Sequence, residues 1–399
     1  MAMSEREDLV TGVLGVWLLA GLFLDGWAHN TRPRLETFVT PWHAVFYSGF
    51  LAISAWVVWS VHRRRAPGQR WWHAVPPGYR AAVVGLAVFH ISGAGDAAWH
   101  SAFGIERNEA ALLSPTHLGL YVGAFLTVSA PLRSRWADGR SRGASWAALL
   151  SLALTADLTA FILQNFSPVR EDIISKAAGR YIAFTHLQPL ADRSVEHVEA
   201  SFILTTVFLF GPLLIAMRRW DLRPSAVALL IGTQCVLMQG LRGFDDPGLA
   251  LLGVTGGVAV AGVTRWLRPS RRDVARVRAW SALAPVTFWA WFIGGIALHD
   301  RGLGFKAEIW GGTLVWTALT GVALTVLLYG QAVPAAVDAS PGGRRSGRGR
   351  WALLEDGDTD QPVAHVVADL ACLGLAGGPR REQRALAGGH DAPHAPPVG

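Results

Sequence analysis

"GDAAWHSAFGIERNEAALLSPTHLGLYVGAF", Gly95 to Phe125, lies between two strongly apolar stretches and sets Asp96, His100 and His117 around their junction. An ionisable side chain that leaves water without a partner is costly, so three of them close together at the edge of a hydrophobic segment need a reason. The flanking stretches supply the setting. Of the whole sequence 51% is hydrophobic and only 16% charged, too little charge for a water-soluble chain of this length. The apolar residues come in blocks of about 18–22, enough to cross a hydrocarbon core as a helix.

These blocks predict an all-α integral membrane protein of about ten transmembrane helices. Their ranges are roughly 9–28, 42–61, 81–100, 115–132, 146–165, 199–217, 225–241, 247–266, 279–298 and 310–330. Acidic residues at Glu5, Glu7 and Asp8 and the lack of a small-residue cleavage pattern argue that the first block is not a cleaved signal peptide.

The net charge of +7 comes almost wholly from arginine, and arginine alternates along the chain. Arg63 to Arg65 follow the second block, Arg133 and Arg135 the fourth, Arg218 and Arg219 the sixth, and Arg265 to Arg278 the eighth. Arginine-rich connections are expected on the cytoplasmic side, which places both chain ends inside the cell and the protein in the plasma membrane. The remaining connections are acidic and histidine-bearing and face outward. Arg170, Lys176, Arg180 and Arg193 fall in a long outer loop, about 166–198, where charge counts for less. No nucleic-acid motif accompanies the basic balance, so the partners read from it are the lipid bilayer and not nucleic acid. The two cysteines, Cys235 and Cys372, have neither CxxC spacing nor a plausible disulfide partner. From 331 to 399 Pro, Gly, Ala and Arg dominate, which predicts a disordered cytoplasmic tail.

The opening stretch has a counterpart in "LDGWAHNTRPRLETFVTPWHAVFYSGF", Leu24 to Phe50. Each presents an aspartate, a histidine four residues on, a loop with a glutamate, a Thr-Pro or Ser-Pro step, and a histidine two residues after the proline. The first 134 residues therefore read as a duplicated two-helix unit, about 9–62 and 81–134, followed by six further helices over 135–330. Asp and His at i and i+4 share one helix face. Proline is tolerated in the first turn of the next helix, and the histidine after it points back toward the same rim. One carboxylate and two imidazoles make a three-ligand metal site, and this donor set suits copper, iron or zinc. A lone histidine at a wet helix end is usually structural, but two matched triads on one face favour metal. Haem is the weaker alternative, because the aspartates have no axial role there.

"DAAWH…LSPTHLGLY" resembles the metal motif of a membrane subunit of the particulate methane and ammonia monooxygenases, in which Asp-x-x-Trp-His is followed by a loop and by Thr-Pro-Ser-His opening the next transmembrane helix. The resemblance covers the two helix pairs. It implies that Asp96, His100 and His117 are metal ligands, with copper the metal, and Asp25, His29 and His43 keep the same order in the first unit. It also implies oxidation of a small apolar substrate. The rival expectation is non-catalytic copper handling by transport, acceptance or sensing.

Other polar residues carry lesser expectations. Glu36, Glu109, Glu196 and His197 are candidates to complete or orient the metal shell. His299 and Asp300 are weaker candidates of the same kind. Asp157, within a block, should face the bundle interior. Gln234, Gln239 and Arg242 suit helix association and anchoring. His62 and His73 belong to an inner basic connection.

Overall fold

A computed structural model describes residues 2–32, 40–103, 110–138, 143–176, 188–299, 302–304 and 306–330. The sequence expectations at Glu36, Glu109, Arg180, Asp300 and the tail fall outside these residues. The described residues form helices and the connections between them, with no named strand among them. Seven segments are long and apolar enough to cross a membrane: Glu5–Thr31, Pro41–Arg64, Pro77–Phe103, Val195–Met217, Pro247–Leu267, Val274–Leu298 and Ala307–Tyr329.

Helix α1 (Glu5–Thr31) begins with a reciprocal cap, in which Glu7 N–H donates to Ser4 Oγ at 3.3 Å and Ser4 N–H to Glu7 Oε2 at 2.9 Å. It pairs with α2 (Pro41–Arg64), and α3 (Arg80–Phe103) pairs with α5 (Pro115–Val128) after the short α4 (Ala110–Leu113). The expected fourth span is divided. Its helix ends at Val128, Ser129 hydrogen-bonds back to Phe125 O at 2.5 Å, and α6 (Ala130–Asp138) restarts the chain. Pro131 is the physical reason, since it has no N–H to continue the ladder and its ring clashes with the preceding turn.

Helices α7 (Trp146–Ile162) and α10 (Pro224–Gly240) are apolar but only 17 residues each; α7 stops short of the expected 146–165, whereas α10 matches the expected 225–241 to within a residue. Between them lie α8 (Ile173–Lys176) and α9 (Gln188–Met217). Helix α9 starts within what reads as the outer loop, because its first turns are built from Gln, Glu and Arg, good helix formers that hydropathy ignores. Helices α11 (Pro247–Leu267), α12 (Val274–Leu298) and α13 (Ala307–Tyr329) pack in succession, and α13 closes onto α9.

Glycines set the two crossings that matter for the site. A Cβ on Gly49 of α2 would lie 2.7 Å from Leu18 N of α1, and one on Gly123 of α5 would lie 2.7 Å from Phe89 N of α3. Close backbone approach at small residues is how helices pack where lipid removes the hydrophobic drive between them. The pairs then meet through aromatic rings, with Phe50 stacked on Phe89 at 3.7 Å between centroids.

A buried polar network ties the opposite end of the pairs together. Asp8 is fully buried and lies 2.6 Å from Arg135 Nε and 2.8 Å from Tyr79 OH. Tyr79 OH also meets Thr11 Oγ1 at 2.9 Å, and Trp56 Nε1–H donates to the same oxygen at 3.0 Å. Glu7 pairs with Arg63 and Arg64 beside it. The N-terminal ends of α1 and α3 thus share one end of the bundle with the arginines, and the C-terminal ends of both helices lie at the other.

Candidate metal centre

At that other end, each helix pair gathers one aspartate and two histidines. Thr40 caps α2, with Pro41 as its first residue, and His43 N–H donates to Thr40 Oγ1 at 3.1 Å. Ser114 caps α5 in the same way, with Pro115 first and His117 N–H donating to Ser114 Oγ at 3.3 Å. The hydroxyl-Pro-x-His motif is therefore a helix N-terminus in which the histidine itself supplies the capped amide. That fixes where each imidazole leaves the backbone, opposite the last turns of the preceding helix.

In the first triad His43 Nε2 lies 3.3 Å from Asp25 Oδ1 and His29 Nε2 3.6 Å from Asp25 Oδ2. In the second, His117 Nε2 and His100 Nε2 lie 3.3 and 3.4 Å from Asp96 Oδ1. Within each group the three ligand atoms lie within 4.8 Å of one another. These spacings carry chemical information. An N–H···O hydrogen bond closes to about 2.7–3.2 Å. A tetrahedral ion with bonds of about 2.0–2.2 Å holds its ligand atoms about 3.3–3.6 Å apart. The four imidazole–carboxylate distances are compatible with such a shell; the two at Asp96 share one carboxylate oxygen, whereas those at Asp25 go to different oxygens.

The second triad is the more enclosed. The Asp96 and His100 side chains are 2% and 3% exposed, against 14% and 20% for Asp25 and His29, while His117 remains 22% exposed. Hydrogen bonds also hold it from outside. Thr116 Oγ1–H donates to Asp96 Oδ1 at 3.0 Å and Tyr47 OH to Asp96 Oδ2 at 3.2 Å. Ser114 Oγ lies 2.6 Å from His117 Nδ1. With Nδ1–H donating to that oxygen, Nε2 presents its lone pair to the centre, which is how outer hydrogen bonds select a metal-binding tautomer. The two triads are neighbours, since His29 lies within electrostatic reach of His100 and His117.

The other expected residues fall elsewhere. Glu196 and His197 are exposed near the start of α9, with the His197 ring against Phe166 at 5.3 Å, and neither joins a triad. His299 is exposed where α12 ends. Asp157 is buried in α7, where Gln234 Nε2–H of α10 donates to the adjacent Ala156 O at 3.3 Å. Gln239 anchors the segment before α8 by donating to Val169 O at 2.6 Å and Arg170 O at 3.0 Å. Arg242 pairs with Asp245 at 2.6 Å and Glu171 at 3.3 Å.

Sequence reading alone misses three features. Tyr47 reaches across from α2 to Asp96, although its position one turn after His43 could have flagged it. Asp8 reads as a leader residue but is the centre of a buried network. A small apolar cavity between α7, α9 and α10, lined by Leu163, Leu209, Cys235 and Met238 among others, has no signal in the local pattern. Comparison with known families, curated proteins and solved structures finds no match for the chain.

Proposed function

We propose that this chain is a plasma-membrane copper protein with two metal sites on the outer face, built by a duplicated helix pair within a ten-span bundle whose ends are cytoplasmic. The observation that carries the metal reading is the repeated gathering of one aspartate and two histidines, with the three ligand atoms of each group within 4.8 Å of one another. The duplication is supported by packing as well as by sequence. Gly49 lies six residues after His43 and meets Leu18, seven before Asp25; Gly123 lies six after His117 and meets Phe89, seven before Asp96. Equivalent residues thus make equivalent crossings. The arginines gathered at the end opposite the triads support this orientation, and the spans beyond the seven long helices would be the shorter α7 and α10 and the α5–α6 segment.

The resemblance to the metal-motif subunit of particulate methane and ammonia monooxygenases favours oxidation of a small apolar substrate as the activity. Copper, when bound, would supply one-electron and dioxygen chemistry that no side chain here provides. The protein's own part would be to hold Asp96, His100 and His117, and Asp25, His29 and His43, in place with open coordination positions. Iron or zinc would satisfy the same donors. A second reading, copper handling without chemistry, is favoured by one observation: the apolar cavity is lined from α7, α9 and α10, and no triad residue contributes to it.

Metal analysis of the purified protein tests the assignment. Asp96→Ala, His100→Ala and His117→Ala should each lower bound copper, and His62→Ala, at the arginine end of α2, should leave it unchanged. Equal copper in wild type and the three triad variants would refute it. Copper-dependent oxidation of a small hydrocarbon by protein in native membranes separates the first reading from the second.

A further inference from the structure

We infer that Tyr47, carried by the first helix pair, is a positioning residue of the second metal site, so that the second site is completed across the pairs and not within its own. This rests on the reading that the triads bind metal. His43 and Tyr47 lie one turn apart on α2, with their rings edge-on at 6.2 Å between centroids. The Tyr47 hydroxyl reaches the aspartate of the other triad. It donates to Asp96 Oδ2 at 3.2 Å, while the other oxygen of that carboxylate faces His100 and His117 and accepts from Thr116. The two oxygens of Asp96 therefore have different tasks. One is presented to the two imidazoles, and the other is held by a phenol from the neighbouring pair, which stops the carboxylate from rotating. In the first triad both oxygens of Asp25 are turned toward imidazoles, one to each.

The equivalent tyrosine of the second pair shows that this is not a generic feature of the motif. Tyr121 also lies one turn after its histidine, but its hydroxyl meets Thr159 Oγ1 of α7 at 3.3 Å, not a carboxylate. Each pair thus points its tyrosine at the next element, and only Tyr47 finds a metal-facing aspartate there. A hydrogen bond that orients a ligating carboxylate typically contributes about 10–100-fold in metal affinity. Tyr47→Phe removes that bond and keeps the ring, and with it the contacts to Phe46 and Phe89.

The experiment is a copper(II) titration of the full-length protein in detergent, in an Asp25→Ala, His29→Ala background that disables the first site from α1 and leaves α2 untouched. Adding Tyr47→Phe should weaken the remaining copper site at least tenfold. It should also change that site's electron paramagnetic resonance spectrum, because the carboxylate donor is reoriented. Adding Tyr121→Phe instead should change neither, and both variants should unfold at the same temperature as the parent without metal. The proposal is overturned if Tyr47→Phe leaves affinity within about twofold and the spectrum unaltered, or if Tyr121→Phe weakens the site equally. A parent that binds no copper would instead bring down the metal reading on which the proposal stands.

Discussion

Replacing Gly49 by alanine should empty the first metal site while leaving the fold largely intact. The added methyl would sit 2.7 Å from Leu18 N and 2.8 Å from Leu18 Cα, both backbone atoms that cannot swing aside. Carbon atoms rest at about 3.5–4.0 Å, so α1 and α2 must separate by about 0.7–1.2 Å at this point. His43 lies six residues away on the same rigid helix, about 9 Å along its axis. If the separation carries to the triad, the 3.3 Å between His43 Nε2 and Asp25 Oδ1 opens to roughly 4.0–4.5 Å. Two bonds of about 2.0–2.2 Å reach that far only when nearly collinear, which no tetrahedral or trigonal site permits. Stability suffers less. Overpacking costs about 1–3 kcal/mol, and exchanging glycine for alanine in a helix returns up to about 1 kcal/mol. Copper titration of wild type, Gly49→Ala and Gly262→Ala, whose Cβ would meet nothing within 4 Å, is the assay. We expect at least a tenfold loss of first-site affinity for Gly49→Ala and none for Gly262→Ala. Unchanged stoichiometry and affinity in a folded Gly49→Ala protein would show that the crossing does not set the ligand spacing.

Disabling Asp25, His29 and His43 together should remove about one of two copper ions if the triads are separate, and empty or strongly weaken both if they share a centre. Full wild-type metal content in that variant would make the first unit structural only. A cysteine introduced at Phe103 should react with impermeant reagent from outside the cell, and one at Gln69 only after permeabilisation; the reverse result would overturn the outward-facing site. Arg135→Ala should destabilise the protein by about 3–5 kcal/mol, because it strands Asp8 without its buried counter-charge. Arg63→Ala, at an exposed partner of Glu7, should cost no more than about 1 kcal/mol, and equal losses in thermal unfolding would contradict the burial argument.

Much of the site is legible in the chain alone. Asp25 with His29, and Asp96 with His100, are i, i+4 pairs, and that relation depends only on helix pitch. Thr40-Pro41 and Ser114-Pro115 are local start signals that put His43 and His117 in a first turn wherever the helices go. Membrane character is equally local, because length and apolarity of a segment determine whether it can cross a bilayer. The division of the expected fourth span at Ser129 was also within reach, since Pro131 announces it. What only the tertiary structure decided is which distant side chains complete these local pieces. Nothing near Tyr47 in the chain points to Asp96, and nothing near Asp8 points to Arg135 and Tyr79. Glu196 and His197 have the right chemistry for a metal shell but are exposed on α9, outside both triads. Helix pitch and caps act within a turn or two of the backbone, whereas the meeting of α2 with α3, or of α1 with α6, depends on how glycine crossings and the stacked Phe50 and Phe89 rings set whole helices against one another.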